Sequence, residues 1–140
     1  MEKMAFENTD IEFLRIDNQI WVRGTQIGDA LDYENSYKAM SKLYERNKDE
    51  FTESMTTLMK LPDLHPQIGG AGQIREVRVF SLRGAHLIAM FARTEKAKAF
   101  RRWVLDLLED FHNGTENAKL RYIKAQKELE QAKQQASSCG

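Results

Sequence analysis

The chain is poor in the residues that build disulfide-linked or membrane-spanning proteins. It has one cysteine, Cys139, and two prolines among 140 residues. A single cysteine excludes an intrachain disulfide and favours a reducing cytoplasm. The longest uncharged apolar-rich run, residues 84–92, is about half of the ~20 residues that a spanning helix needs, so we expect no membrane contact. The N-terminus lacks the basic-then-apolar layout of a secretory signal.

Residues suited to catalysis or metal binding are also sparse. The three histidines, His65, His86 and His112, are far apart and lack metal-ligand spacing. None of them has a serine or cysteine nearby in a recognisable nucleophile setting. The glycine-rich stretch 68–72 is not followed by the Gly-Lys-Ser/Thr of a phosphate-binding loop, and we interpret it as part of a hairpin loop. We therefore expect no enzyme, no cofactor and no metal site.

Positive charge is concentrated in one part of a chain that is neutral as a whole. The net charge is zero, but residues 75–102 hold eight Arg or Lys residues and two acidic residues, a local charge of +6. Such a patch is a common footprint of polyanion binding. The alternative is that these residues only solvate a strand and a helix face. If they bind DNA, the contacting cations are Arg75, Arg78, Arg83, Arg93, Lys96, Lys98, Arg101 and Arg102, with Arg75 and Arg78 on one strand face.

Apolar periodicity predicts an α+β fold. It predicts strands around 11–13, 16–22, 54–61 and 77–80, with a turn at 17–18 between the first two. It predicts helices at 26–31, from residue 35 or 36, at 81–92 and through 100–111, with Tyr37 and Trp103 facing the interior. The expected fold is a small mixed domain of short antiparallel strands packed with about four helices, plus a C-terminal extended helix.

Residues 25–43 carry a pattern of their own. A short helix capped by Thr25, a break at Asp32 and a second helix capped by Asn35 or Ser36 describe a helix-turn-helix. This motif places side chains in the major groove of DNA. Asn35, Ser36 and Lys38 would then stand where base-edge readers normally lie. A helical hairpin without any DNA contact fits the same pattern equally well.

The C-terminal segment changes in composition. His112, Asn113 and Gly114 predict the end of a helix, with the glycine in the left-handed stop position, and Thr115 can cap a last helix. A weak heptad seam follows at Ala118, Tyr122, Ala125, Leu129, Ala132 and Ala136. This helix could be a linker, a coiled coil to another copy, or the first part of a longer protein. We expect a domain at 1–113, a tail at 114–140, and a homo-oligomer formed through the tail.

Three blocks of the chain, in order, resemble the Bro N-terminal domain of phage antirepressors and baculovirus Bro proteins. They are residues 21–35, 80–88 and 95–104. The third is close to the family's alanine, lysine, phenylalanine, arginine, tryptophan, valine signature, and the resemblance extends from about Ile11 to Phe111. The chain departs from the family pattern at His86, where tyrosine is common, and at residues 109–110, where leucine and proline are common.

The resemblance implies a non-enzymatic viral or prophage regulatory module that binds double-stranded DNA and influences transcription. The alternative is an antirepressor that inactivates a repressor by direct binding. The first third of the chain, residues 1–36, has a net charge of −5 and would complement the basic face of such a repressor. The implied location is the cytoplasm, that of a bacterial host if a phage encodes the protein. The chain would be a short version of the family or a fragment that lacks a C-terminal domain.

Overall fold

The chain folds into one five-stranded antiparallel sheet with helices, as the predicted α+β class requires. The computed structural model describes residues 2–63 and 73–138, with the side chains of 115–127 and 133–138 excepted. The strands are β1 (Glu2–Phe6), β2 (Thr9–Ile16), β3 (Gln19–Arg23), β4 (Thr56–Pro62) and β5 (Ile74–Ser81), in the spatial order β1-β2-β3-β5-β4. The helices are α1 (Gly24–Ala30), α2 (Ser36–Asn47), a 3-10 helix (Lys48–Glu50), α3 (Leu82–Phe91) and α4 (Lys96–Ser138).

The β2–β3 hairpin confirms the predicted turn. Asp17 and Asn18 both have positive φ, 52° and 62°, which two-residue hairpin turns of type I′ require. The neighbouring strand β1 was not predicted. Only Phe6 of its five residues is buried, so the apolar alternation that marks a half-buried strand is missing.

The central strands bury side chains on both faces of the sheet. On one face, Phe80 packs against Tyr44 of α2, with ring centroids 6.3 Å apart. On the opposite face, Leu14, Trp21 and Val79 form a small buried cluster. Residues 20–23 of β3 are all buried, and β3 is the central strand of the sheet, between β2 and β5.

An aromatic cluster joins the first hairpin to the beginning of α4. The Trp103 ring centroid lies 5.4 Å from that of Phe6, 6.3 Å from that of Phe13 and 5.8 Å from that of Phe100. Trp103 is partly buried, whereas Phe100 is 1% exposed. Trp103 therefore packs within the domain, as its position on the apolar stripe predicted.

Helices α1 and α2, which we call the helix pair, differ from the sequence prediction in two details. Helix α1 begins at Gly24, with Arg23 in the N-cap position and no side-chain cap, so the prediction that Thr25 caps it is wrong. Thr25 lies inside the first turn because the helix starts directly after β3. The second helix begins as predicted, with the Asn35 side chain accepting a hydrogen bond from the backbone N–H of Lys38 at 3.1 Å. Tyr37, predicted to face the interior, is 73% exposed.

The predicted helix end at Gly114 is wrong. Helix α4 continues from Lys96 to Ser138, so Thr115 does not begin a separate helix. Glycine costs about 1 kcal/mol in a helix interior, which good helix formers on both sides can outweigh. The chain divides into two compact units, Met1–Leu105 and Asp106–Gly140, and the predicted boundary between 113 and 114 stays a prediction.

The structure describes little of two other predicted segments. In the heptad seam, Leu129 and Ala132 are exposed, and the other seam side chains lie outside the described ones. The glycine-rich loop at 68–72 also lies outside the described residues. Within residues 2–63 and 73–138, no helix is long and apolar enough to cross a membrane.

Candidate nucleic-acid interface

The two arginines of β5 point away from each other. They are three residues apart, and strand side chains alternate with a period of two, so the expectation that they share one face is wrong. Arg78 lies with its guanidinium carbon 4.0 Å from the ring centroid of Tyr44 and donates to Thr56 Oγ1 at 3.1 Å. Arg75 places its Nε 3.2 Å from a carboxylate oxygen of Asp63. Both guanidinium groups are thus engaged within the protein.

Two cations of α4 have partners outside their own helix. The Lys96 ammonium forms an ion pair with Glu7 in the β1–β2 turn, and this hydrogen-bonded carboxylate raises the pKa of Lys96. Arg101 Nη1 donates to the backbone carbonyl of Ala89 in α3 at 3.2 Å. Arg101 also acts on His86 of α3: burial, and secondly the positive charge of Arg101, lower the pKa of the His86 imidazole. Lys96 and Arg101 therefore have structural contacts within the protein, and a phosphate group would have to compete with these contacts.

The remaining four cations of the basic segment are exposed. Arg83 lies in the first turn of α3, Arg93 lies between α3 and α4, and Lys98 and Arg102 lie one turn apart on α4. None of the four forms an ion pair with any residue that the structure describes. We call Arg83, Arg93, Lys98 and Arg102 the α3–α4 cation group. Exposed and unneutralised, these side chains are suited to phosphate oxygens.

The helix pair engages two of its three predicted base readers internally. Asn35 uses its side-chain oxygen to cap α2. Ser36 is buried, and its hydroxyl donates to Asp29 of α1. Lys38 is exposed. Of the three residues, Lys38 is therefore the one that carries an exposed charge without an ion pair to any described residue.

Helix α2 also carries a row of cations that the charge count along the chain did not reveal. Lys38, Lys42 and Arg46 are all exposed, and no described residue forms an ion pair with them. Residues 37–74 contain five basic and five acidic residues, so their average charge hides the row. The spacing of four residues, which places the three on one helix side, was the signal that could have found it.

A cavity of about 210 Å³ lies beside this row, between α2 and the β4–β5 hairpin. Its lining includes Tyr37, Met40 and Tyr44 of α2 together with Leu58, Arg78 and Phe80 of the hairpin. Two of these side chains, Tyr37 and Leu58, are 73% and 48% exposed. The cavity therefore opens on a surface that combines apolar, aromatic and charged groups.

These features define a small α+β module with an exposed helix and an unneutralised cationic surface. The family model described as BRO family, N-terminal domain, matches residues 10–110. The chain therefore belongs to this family, whose domains are regulatory modules of phage and viral proteins and are not known as enzymes. Searches of curated proteins and of solved structures gave no match.

Proposed function

We propose that the protein binds double-stranded DNA as a transcriptional regulator, with the α3–α4 cation group contacting the phosphates. One observation carries this proposal. Arg83, Arg93, Lys98 and Arg102 are exposed and unneutralised by any described residue, although the chain contains as many acidic as basic residues. Exposed cations that have no ion-pair partner within the protein are the groups by which proteins hold the DNA backbone.

A different observation favours a second candidate, the inactivation of a repressor by direct binding. Tyr37, Leu58 and Ile74 are 73%, 48% and 71% exposed. Leu58 and Ile74 lie on the same face of the β4–β5 hairpin, as the strand register shows. Tyr37 and Leu58 also line the same cavity, and an exposed apolar patch is typical of protein interfaces. The acidic first third of the chain would steer a basic repressor surface towards the protein.

The salt dependence of DNA binding tests the first proposal. Each neutralised phosphate releases counterions, so the four contacts of the α3–α4 cation group alone should lower the affinity by about two decades or more between roughly 50 and 200 mM salt. Fluorescence anisotropy with a labelled random duplex measures this slope. Replacing Arg83 and Arg102 by alanine should reduce the slope of log K against log salt by about two.

A charge-matched control makes the result specific to this surface. Lys3→Ala/Arg15→Ala removes the same charge from two exposed positions on β1 and β2 and should leave the slope nearly unchanged. A flat salt response, or no binding at micromolar protein in low salt, would rule out the DNA proposal. Capture of a purified phage repressor by a protein that binds no duplex would favour the second candidate instead.

A further inference from the structure

We infer that α2 enters the major groove of the bound DNA, where Tyr37 and Ser41 contact base edges and Lys38, Lys42 and Arg46 contact phosphates. This inference rests on the proposed DNA binding and goes beyond it. The α3–α4 cation group can position the protein on the backbone, but phosphate contacts carry no direct information about sequence. A reading element is therefore needed in addition, and α2 has the required surface.

The cation row of α2 is the first part of this surface. In an α-helix, residues four apart are about 6 Å apart along the axis and about 40° apart around it, so Lys38, Lys42 and Arg46 follow one side of α2 over about 12 Å. The exposed acid of the same helix, Glu45, is 3.4 Å from Lys48 and thus paired. The row therefore presents three positive charges with no ion pair to any described residue.

Tyr37 and Ser41 form the second part, in the adjacent row of the same helix. Both are exposed, and both line the cavity beside the β4–β5 hairpin. The tyrosine ring can contact a thymine methyl group, and both hydroxyls can donate to or accept from base edges. Because the major groove is about 12 Å wide and admits an α-helix, neighbouring rows can contact bases and phosphates together.

The packing of α1 against α2 holds this surface in place. A Cβ atom on Gly28 of α1 would lie 2.7 Å from Ser36 Cβ, so the two helices approach as closely as glycine allows. Ser36 donates to Asp29 of α1, and Met40 of α2 is 5% exposed. With its inner side fixed, α2 presents its outer rows in one orientation, which lowers the entropic cost of binding.

Charge favours DNA over a protein as the ligand of α2. A protein partner would need a row of acids matched to Lys38, Lys42 and Arg46, whereas a DNA backbone supplies regularly spaced phosphates in any sequence. The acids that line the neighbouring cavity, Glu45 and Glu76, lie beside Lys48 and opposite Lys60 respectively. They therefore have basic neighbours of their own and do not neutralise the row.

The first test measures sequence preference. Duplexes are selected from a random 20-base-pair library with the whole chain, and affinities for the selected and unselected duplexes are compared at one salt concentration. The affinity ratio is the affinity for the selected duplexes divided by that for the unselected ones. Tyr37→Ala/Ser41→Ala should lower this ratio about tenfold or more without changing the slope of log K against log salt. Tyr37→Phe, which keeps the ring, should retain most of the ratio. Both positions are exposed, so the thermal unfolding of these variants should match that of the parent.

The second test asks whether α2 touches DNA at all. Lys38→Ala/Lys42→Ala/Arg46→Ala should reduce the salt slope by about three. Arg83→Ala/Lys98→Ala/Arg102→Ala removes the same charge from the α3–α4 cation group and should lower affinity for all duplexes while keeping the affinity ratio.

Several outcomes would overturn the inference while the proposed function stands. The first is a selection that enriches no sequence from the library. The second is an unchanged affinity ratio in Tyr37→Ala/Ser41→Ala. The third is an unchanged salt slope in Lys38→Ala/Lys42→Ala/Arg46→Ala. Loss of repressor capture in Tyr37→Ala with intact DNA discrimination would assign this surface to a protein partner and also overturn it. Failure of the whole chain to bind any duplex in low salt would overturn the proposed function together with the inference.

Discussion

At the scale of residues, Glu12 of β2 and Arg23 of β3 form a buried ion pair. Glu12 and Arg23 are 5% and 4% exposed, and Glu12 Oε2 lies 3.5 Å from Arg23 Nε. Arg23 Nη2 also donates to the backbone carbonyl of Pro62 at 3.0 Å. Arg23 therefore connects β2, β3 and the end of β4. Its charge is paired inside the fold and is not exposed to an external ligand.

Removing one partner of this pair should be costly. Arg23→Leu leaves the Glu12 carboxylate buried without its cation, and we expect a loss of about 3–5 kcal/mol in the free energy of unfolding. Arg23→Leu/Glu12→Leu removes both charges and should recover much of that loss. Urea unfolding monitored by circular dichroism measures both values. Glu12→Leu alone completes the comparison. If the loss in the double variant equals the sum of the losses in the two single variants, the two side chains stabilise the fold independently.

His86 should make stability depend on pH. Burial and the charge of Arg101 lower the pKa of His86 below its ordinary value of 6.5. As pH falls, the unfolded chain therefore takes up this proton before the folded one does, and stability is lost from about 6.5 downwards. The unfolding temperature should be lower at about pH 5 than at about pH 7.5, and His86→Gln should reduce this difference. Identical pH dependence in parent and variant would contradict this role for His86.

At the scale of elements, a boundary could be predicted where a local signal decides it. The cap of α2 by Asn35 and the start of α3 after Ser81 follow from side chains that accept backbone hydrogen bonds, which is a property of these residue types. The predicted end at Gly114 failed because glycine disfavours a helix by only about 1 kcal/mol. Strand β1 was missed because its pairing with β2, and not its own pattern, makes it a strand.

Two glycines of the helices should respond oppositely to alanine. A Cβ at Gly84 in α3 would lie 2.1 Å from the backbone oxygen of Met55, so Gly84→Ala must shift the backbone and should destabilise the domain by about 3 kcal/mol or more. A Cβ at Gly114 in α4 would lie within 4 Å of no atom that the structure describes. Gly114→Ala should therefore raise helix stability locally by about 1 kcal/mol. Thermal unfolding followed by circular dichroism at 222 nm compares the two variants with the parent protein. A melting temperature for Gly114→Ala below that of the parent would contradict the prediction.

For the whole molecule, the residue ranges of the two compact units divide between Leu105 and Asp106, within the span of α4. The first unit holds the sheet, the helix pair and the α3–α4 cation group. The second unit contributes the remainder of α4, where Leu129 is 59% exposed. An isolated helix is marginally stable in water, so the second unit is the part of the chain for which we expect a partner.

We predict that this partner is a second copy of the chain. A homo-oligomer would shelter Leu129 along the predicted heptad seam, and a two-fold dimer would present two α2 helices to a palindromic DNA site. Light scattering should give a larger mass, in multiples of the chain, for the whole protein than for a version that ends at Gly114. A whole chain that is monomeric at high micromolar concentration would exclude the prediction, and equal oligomeric states would locate the interface outside the tail.

The sequence alone determined what short-range chemistry controls: the turn at Asp17 and Asn18, the cap at Asn35, the apolar stripe of Phe100 and Val104, and the family to which the chain belongs. The turn, the cap and the stripe each depend on residues within a few positions of one another, so local pattern suffices, and the family follows from the order of three sequence blocks along the chain. Only the tertiary structure decided which cations of the basic segment have partners within the protein. Arg78 is engaged by Tyr44, and Lys96 by Glu7, which is 89 residues away in the chain. These partners meet because the sheet order and the helix packing bring distant segments together, and a count of charges along the chain cannot register that.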